Sequence, residues 1–431
     1  MTETLGRWRQ VRLGDCAEIV AGYAFKSKQF TDDPNDIHLI KGADVQQGYV
    51  NWDGCKHWPK EDAANYSKFR LVEGDVILAM DRPWVPAGLK WAWIKSGAPE
   101  ALLVQRVSRL RGNNGLLTDY LRYLIASRVF EDYIRPIVTG VNVPHISGKQ
   151  IADFSFRLPD LSTQGRIAAI LSAYDDLIEN NLRRIKILEE MAQNLYREWF
   201  VKFHFPGHEQ VRMVDSPLGK IPEGWEAVPM EDVCARITDG AHRSPKSVES
   251  GFPMASVKDM HNWGINVQTC RRISEEEFRN LERNDCKMRE DDVLVAKDGS
   301  YLKHCFVVEK DLDVALLSSI AMLRPNARIR PHILATTLLE PDVKTRMKGY
   351  VSGAALPRII LKEFRKFQIV LAPKKIQEEW AAIAEPMIEL CRRLMEKNNN
   401  LRQTRELLLP KLISGELDVS SLPIAVPEEA A

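Results

Sequence analysis

Trp8, Val11, Leu13 and Asp15 recur 217 residues later as Trp225, Val228, Met230 and Asp232. Gly22 and Lys28 return as Gly240 and Lys246, and Ala101-Leu102-Leu103 returns as Ala315-Leu316-Leu317. The run Glu73-Gly74-Asp75-Val76-Ile77-Leu78-Ala79-Met80-Asp81 returns as Glu290-Asp291-Asp292-Val293-Leu294-Val295-Ala296-Lys297-Asp298. Further on, Thr139-Gly140-Val141-Asn142-Val143-Pro144-His145-Ile146 returns as Ser352-Gly353-Ala354-Ala355-Leu356-Pro357-Arg358-Ile359. The offset stays between 213 and 218 throughout. Separated segments holding one offset are the mark of an internal duplication, so the chain must fold as two like units.

Each unit reads as a mixed block followed by a long helix. Short apolar runs bounded by turn residues, 76–79 and 293–296, read as buried strands. Short helices are expected at 117–126, 130–137, 333–339 and 342–348, and closing strands at 154–158 and 367–371. The fold class is therefore α+β: two tandem globular α/β domains, at 1–159 and 225–373, each followed by a long helix, at 160–203 and 374–418. Pro206-Gly207, Pro217 and Pro222 among polar residues mark 204–224 as a linker. The stretch 419–431 reads as a disordered tail.

The helices carry the next constraint. In the first, Leu171, Tyr174, Ile178, Asn181, Ile185, Leu188, Ala192, Leu195 and Trp199 alternate three and four residues apart. In the second, Ala384, Met387, Cys391, Leu394, Asn398, Leu401, Arg405 and Leu408 do the same. Both are seams of the coiled-coil type with an asparagine set into them. Both follow a Pro-containing strand end, Leu158-Pro159 or Ala372-Pro373, and both carry a glutamine just inside, Gln164 and Gln377. Neither seam can be left in water. Repeats related by a pseudo-twofold axis would bury the two against each other, antiparallel, with a block at each end. At about 1.5 Å per residue, 162–200 would span roughly 58 Å, the length of a spacer.

An enzyme should show its chemistry, and none is legible. There is no GxxxxGK[ST] loop, dinucleotide fingerprint, GxSxG elbow, HExxH or amino-methyltransferase motif. Seven scattered cysteines without a CxxC indicate neither a zinc site nor a disulfide framework, and they suit a reducing cytoplasm. No apolar run approaches the ~20 residues of a membrane span. The expectation is a non-catalytic chain that binds no metal or cofactor.

What remains is recognition. The net charge of +1 is uninformative, but the positive excess lies on the two blocks and the negative on the helices. Segments rich in Gly, Lys, Ser, Asn and aromatics fall at matching places: Gly22–Lys28 against Gly240–Lys246, Lys41–Asp44 against Val257–Asp259, Met80–Arg82 against Lys297–Ser300. Arg and Lys can read guanine edges, Asn reads adenine, and Ser, Thr and backbone amides hold phosphates. The DNA-binding candidates are Lys26, Lys28, Lys41, Arg82, Asn142, His145, Arg243, Lys246, Lys258, Lys297, Ser300 and Arg358. Arg82, Lys258 and Lys297 are the first choices for groove contacts, with Lys28 and Lys246 on phosphates. Matched places filled by different residues suit two heads that read different sequences.

Taken together, these features resemble the specificity subunits of type I restriction–modification enzymes, over nearly the full chain. The resemblance rests on Thr139-Gly140-x-x-x-Pro144-x-Ile146 and Ser352-Gly353-x-x-x-Pro357-x-Ile359, and on the strand–Pro–Gln–helix junctions. It rests also on the helix end at 195–203 running into Gly219-x-Ile221-Pro222-x-Gly224-Trp225, and on the ending Pro410-Lys411-Leu412 with Ser414-Gly415-Glu416-Leu417. It implies two target-recognition domains that each bind one half of an asymmetric, interrupted site in double-stranded DNA. It further implies two methyltransferase subunits docked on the helices, for which Leu171, Ile178, Ile185, Leu188, Leu195, Trp199, Met387, Leu394, Leu401 and Leu408 are the candidates, and nuclease–translocase subunits joining them. S-adenosylmethionine and ATP with Mg would belong to those partners, in a bacterial or archaeal cytoplasm. One departure stands out: no short tandem repeat lies between the units, so spacer control by repeat number does not carry over. The alternative is an assembly scaffold whose heads bind proteins. A self-contained DNA methyltransferase is disfavoured by the missing motifs.

Overall fold

Val76–Ala79 is a strand buried along its whole length, and so is Val293–Ala296. The reason is that each separates two cores. Successive side chains of a strand point to opposite faces. Val76 and Leu78 enter a core with Tyr120, Phe130 and Phe154, while Ile77 and Ala79 enter another with Ile40 and Leu103. In the second copy Val293 and Val295 face Leu334, Leu338 and Phe367, and Leu294 and Ala296 face Met260 and Leu316. A strand covered on both faces has no polar side, which is why both copies read as continuous apolar runs.

Around this strand the computed structural model, which describes residues 8–138, 144–299, 302–353 and 357–424, repeats one architecture. Ala17–Ala21, Val107–Gly112, Val76–Ala79 and Trp91–Trp93 form an antiparallel sheet in that order, matched by Cys234–Asp239, Ile320–Pro325, Val293–Ala296 and Cys305–Val307. A three-stranded sheet in each copy contains one parallel pair, Ile37–Ile40 with Ala101–Leu103 and Phe252–Ala255 with Ala315–Leu316. The first strand of each copy pairs with its last, Arg9–Arg12 with Ser155–Leu158 and Glu226–Pro229 with Gln368–Leu371. The short helices are Thr118–Ala126 and Arg128–Ile134 in one copy, Pro331–Leu339 and Pro341–Met347 in the other.

The polar residues of the repeat hold this frame. Asp75 and Asp292 are 1% and 0% exposed, and each takes a two-point ion pair, from Arg111 and Arg324 respectively. Each also accepts a backbone N–H at 2.8 Å, from Val72 or Arg289. Buried carboxylates persist because their oxygens are satisfied in this way. The preceding residue has a positive φ in both copies, +84° at Gly74 and +68° at Asp291, so the exchange of Gly for Asp keeps a turn that Asp tolerates better than most residues. At Gly22 and Gly240 a Cβ would lie 2.2 Å from the carbonyl oxygens of Val104 and Leu316, which forbids a side chain at either place.

The long helices are Leu161–Tyr196, prolonged by a π turn at Arg197–Val201, and Lys374–Ser414. Both buried glutamines serve as pins. Gln164 accepts the N–H of Leu117 at 2.9 Å and donates to the carbonyls of Gly115 and Pro159. Gln377 accepts the N–H of Arg330 at 3.0 Å and donates to Arg328 and Ala372. An amide is suited to this place because it carries both donor and acceptor, and here it ties a domain loop to the first turn of the helix.

The chain divides into two compact units, the first comprising residues up to 180 and from 397 onward, the second residues 181–396. Each unit is one domain with a part of both long helices. In the first, Asp175 pairs with Arg405 at 2.5 Å and Asn398 donates to the carbonyl of Ile178 at 3.3 Å. In the second, Ile185 packs with Cys391 and Leu394, and the Tyr196 ring meets Trp380 edge-on. In both, rising numbers on one helix meet falling numbers on the other. The stretch 204–224, expected as a linker, is folded: Met213–Ser216 pairs with Gly219–Pro222, and Phe205, Ile221 and Trp225 lie in the core of the second unit. Residues 425–431 of the expected tail lie outside the described residues.

Candidate nucleic-acid interface

Three of the segments singled out in the sequence, or the residues next to them, converge in each unit on one turn. In the first unit it is 104–106. Gln105 donates its N–H to the carbonyl of Tyr23 at 2.8 Å, Val104 donates to Ile40, and Met80 donates to Arg106. In the second unit it is 317–319. Ser318 donates to Ala241 at 3.1 Å, Leu317 to Ala255, Lys297 to the Ser319 carbonyl, and Val257 to the Ser319 hydroxyl. The turn sets loops that are distant in sequence side by side.

The Pro-containing segment is fastened onto the loop after the central strand by matched backbone hydrogen bonds. Arg82 donates to Pro144 and Ile146 to Met80; Gly299 donates to Pro357 and Ile359 to Lys297, all at 2.7–3.1 Å. At the same place a carboxylate holds the following basic side chain. Asp81 meets His145 Nδ1 at 2.5 Å and also pairs with Arg106, while Asp298 meets Arg358 Nε at 3.0 Å. The sequence alone did not reveal Arg106, because the match between the copies was followed only to Leu103.

Arg82 is exposed with φ +43°, a left-handed conformation that non-glycine residues adopt at a cost; its counterpart there is Gly299, at +74°. Lys26 and Lys28 are exposed around the short turn Ser27–Gln29, beside a cluster in which Tyr23 touches Phe25, Tyr66 and Phe69. Lys41 is half-buried, its N–H given to Asp44 at 2.8 Å; Lys258 is exposed on the matching turn, where Ser256 and Asp259 make the same closure. Burial pushes the Asp44 carboxyl up and the neighbouring Lys90 amine down, and Lys90 donates to the carbonyl of Gly42. Arg243 and Lys246 are exposed on a cleft of about 650 Å³, whose lining includes Asn280 and Asn284. The helix Glu275–Arg283, which carries Asn280 and is capped by Asn284, was not anticipated in the sequence.

Some expectations need correction. Lys297 is only 5% exposed and its ammonium lies 2.5 Å from Asp239, so its charge is spent in the interior rather than at a groove. Asn142 and Ser300 lie outside the described residues. The helix positions assigned to partner docking are used up within the units: Leu171, Ile178, Ile185, Trp199 and Leu394 are buried, and Leu188, Leu195, Met387, Leu401 and Leu408 are partly so. A seam residue cannot both fill the pair and face a partner. The large apolar side chains that the helices expose include Leu161, Leu177, Leu182, Ile187, Met191, Val201, Ile383 and Leu407.

Among the described residues no cluster of three His, Cys, Asp or Glu could hold a metal, and no helix is long and apolar enough to cross a membrane. All seven cysteines are buried free thiols. Burial raises the Cys55 thiol to about 12 and Cys270 to about 11, far from reactive thiolates. Chemically, the exposed set offers charge and hydrogen bonding.

The family model described as the type I restriction modification DNA specificity domain matches residues 6–190 and again 222–402. The specificity subunit of the type I restriction enzyme MjaIX of Methanocaldococcus jannaschii is 26% identical over 72% of this chain and 71% of its own length. That of the HindI enzyme of Haemophilus influenzae is 20% identical over 95% and 99%. Among solved structures, the type I restriction–modification S subunit of M. genitalium overlaps with a TM-score of 0.60 at 14% identity, covering 94% of this chain and 96% of its own, a likeness of fold. With two matches that follow its duplication, this chain belongs to the family of type I restriction–modification DNA specificity subunits.

Proposed function

We propose that the chain is the non-catalytic subunit that gives a modification and restriction complex its DNA sequence specificity, each unit reading one half of a bipartite target. The observation that carries this is the duplicated site. One backbone arrangement around residues 104–106 and 317–319 presents different side chains in the two units: Arg82, Arg106 and His145 in one, Lys258 and Arg358 in the other. A constant frame with varied exposed polar groups is what two readers of different half-sites require. The long helices act as an antiparallel coiled coil with pseudo-twofold symmetry, setting the spacer. Apolar side chains that the helices expose, Leu177 in the first unit and Ile187, Met191 and Ile383 in the second, offer docking surface to two methyltransferase subunits, on which nuclease–translocase subunits assemble. S-adenosylmethionine and ATP with Mg serve those partners, and the complex works in the cytoplasm. The test is to exchange residues 1–155 for the first domain of another specificity subunit and map methylated adenines in host DNA. One half-site is expected to change while the other stays. A change in both together overturns the modular reading, and binding that resists rising salt favours a protein scaffold.

A further inference from the structure

We infer that Arg358, aimed by Asp298, reads a guanine in the half-site of the second unit. This rests on the reading that the second unit binds DNA. The Asp298–Arg358 pair is not needed to fasten its loop, since the backbone bonds Gly299 to Pro357 and Ile359 to Lys297 do so already. Nor does it add much stability: the arginine side chain is 55% exposed, and exposed ion pairs contribute little. What the pair does is orient. Asp298 takes the Nε hydrogen, and among the described residues no bond engages the two terminal nitrogens. That leaves the paired donors that match the O6 and N7 acceptors of guanine, on a side chain whose carboxylate partner is itself 12% exposed and fixed. Lys297, the neighbouring cation, is turned inward to Asp239, whereas the Arg358 guanidinium stays at the surface. In the first unit the same place holds an imidazole on Asp81 in place of a guanidinium, so the two half-sites differ in what is read here.

The experiment selects binding sites from a randomised duplex pool with the full chain assembled with its methyltransferase subunits, comparing wild type with Arg358→Ala, Arg358→Lys and Asp298→Asn. Arg358→Ala is expected to lose the preference for guanine at one base pair of one half-site, by about 5- to 150-fold, with the other half-site and the spacer unchanged. Arg358→Lys retains the charge and loses part of the preference. Asp298→Asn weakens the preference at the same base pair while binding a scrambled duplex no less tightly, a result that a merely structural carboxylate would not give. An unchanged preference in Arg358→Ala, or equal weakening on all sequences, overturns the assignment and leaves DNA reading by the unit intact. If the wild-type assembly itself enriches no sequence, the underlying reading falls and this inference with it.

Discussion

In the first unit the helix segments join the domain through a core that takes in Ile167, Leu171, Leu412 and Ile413, with charged pairs farther along the helices. Arg405 pairs with Asp175, which also accepts the Tyr123 hydroxyl at 2.8 Å, and Lys95 reaches Glu179 at 2.7 Å. In the second unit the middle of the helix pair is apolar instead, although Arg197 to Glu340 and Arg330 to Glu385 add ion pairs between helix and domain. Ile185, Cys391 and Leu394 pack with Trp263, whose indole N–H is satisfied by Glu189, while Tyr196 stacks on Phe200 and both meet Trp380 edge-on. The frames meanwhile are held by the same Asp–Arg and glutamine pins. Duplication has thus preserved what fixes the backbone and released what only fills space or meets solvent.

The largest effects should fall on the preserved part, and equally. Asp75→Ala and Asp292→Ala each remove the two-point partner of a partly buried guanidinium and the acceptor of a backbone N–H, although Arg324 keeps a longer contact with Asp285 at 3.3 Å. Breaking such a pair by removing one partner costs about 3–5 kcal/mol. Urea unfolding followed by circular dichroism should give similar losses for the two variants. Several kcal/mol at one and less than about 1 at the other would mean that the frames are not equivalent.

The divergent helix contacts should separate the units. Leu394→Ala removes a buried side chain and should cost about 2–4 kcal/mol, a loss insensitive to salt. Arg405→Ala should cost less, about 1–2 kcal/mol, and less again at 1 M salt, because its pair is partly exposed and charges are screened. Unfolding of both variants at 0.1 and 1 M salt checks this. Equal salt dependence would remove the distinction drawn between the two units.

The frame was legible because its causes are local or repeated. An apolar run such as 76–79, bounded by turn residues, suits a strand covered on both faces, and the seam positions of the long helices were read as places kept from water. Asn181 and Asn398 are indeed 4% and 0% exposed. The interface was legible by place and not by residue. Lys297 and Arg358 look alike in a sequence, yet one is buried against Asp239, at the end of a strand 58 residues away, and the other is held at the surface. Arg106 escaped notice because its significance comes from three loops meeting at its turn, which no single stretch encodes. The linker was misread because Pro and Gly signal turns, and a hairpin is built from turns as readily as a tether is.

The smallest effect on stability, and the sharpest on function, is expected at Arg82. Its φ of +43° is a conformation in which an L side chain crowds the backbone, and its counterpart Gly299 avoids the crowding. Arg82→Gly therefore removes strain from the folded state and adds freedom to the unfolded chain, two terms of about 1 kcal/mol each and of opposite sign. The backbone bond from residue 82 to Pro144 needs no side chain and survives. Stability should consequently move by less than about 1 kcal/mol in either direction. If the arginine is held there to meet DNA, the glycine variant should bind its target more weakly, by about 5- to 150-fold for a base contact, and the loss should confine itself to the half-site of the first unit. Thermal unfolding together with site selection on the assembled complex reads both quantities. A variant that is as stable as wild type and equally selective would show that the strain at Arg82 serves nothing at this interface.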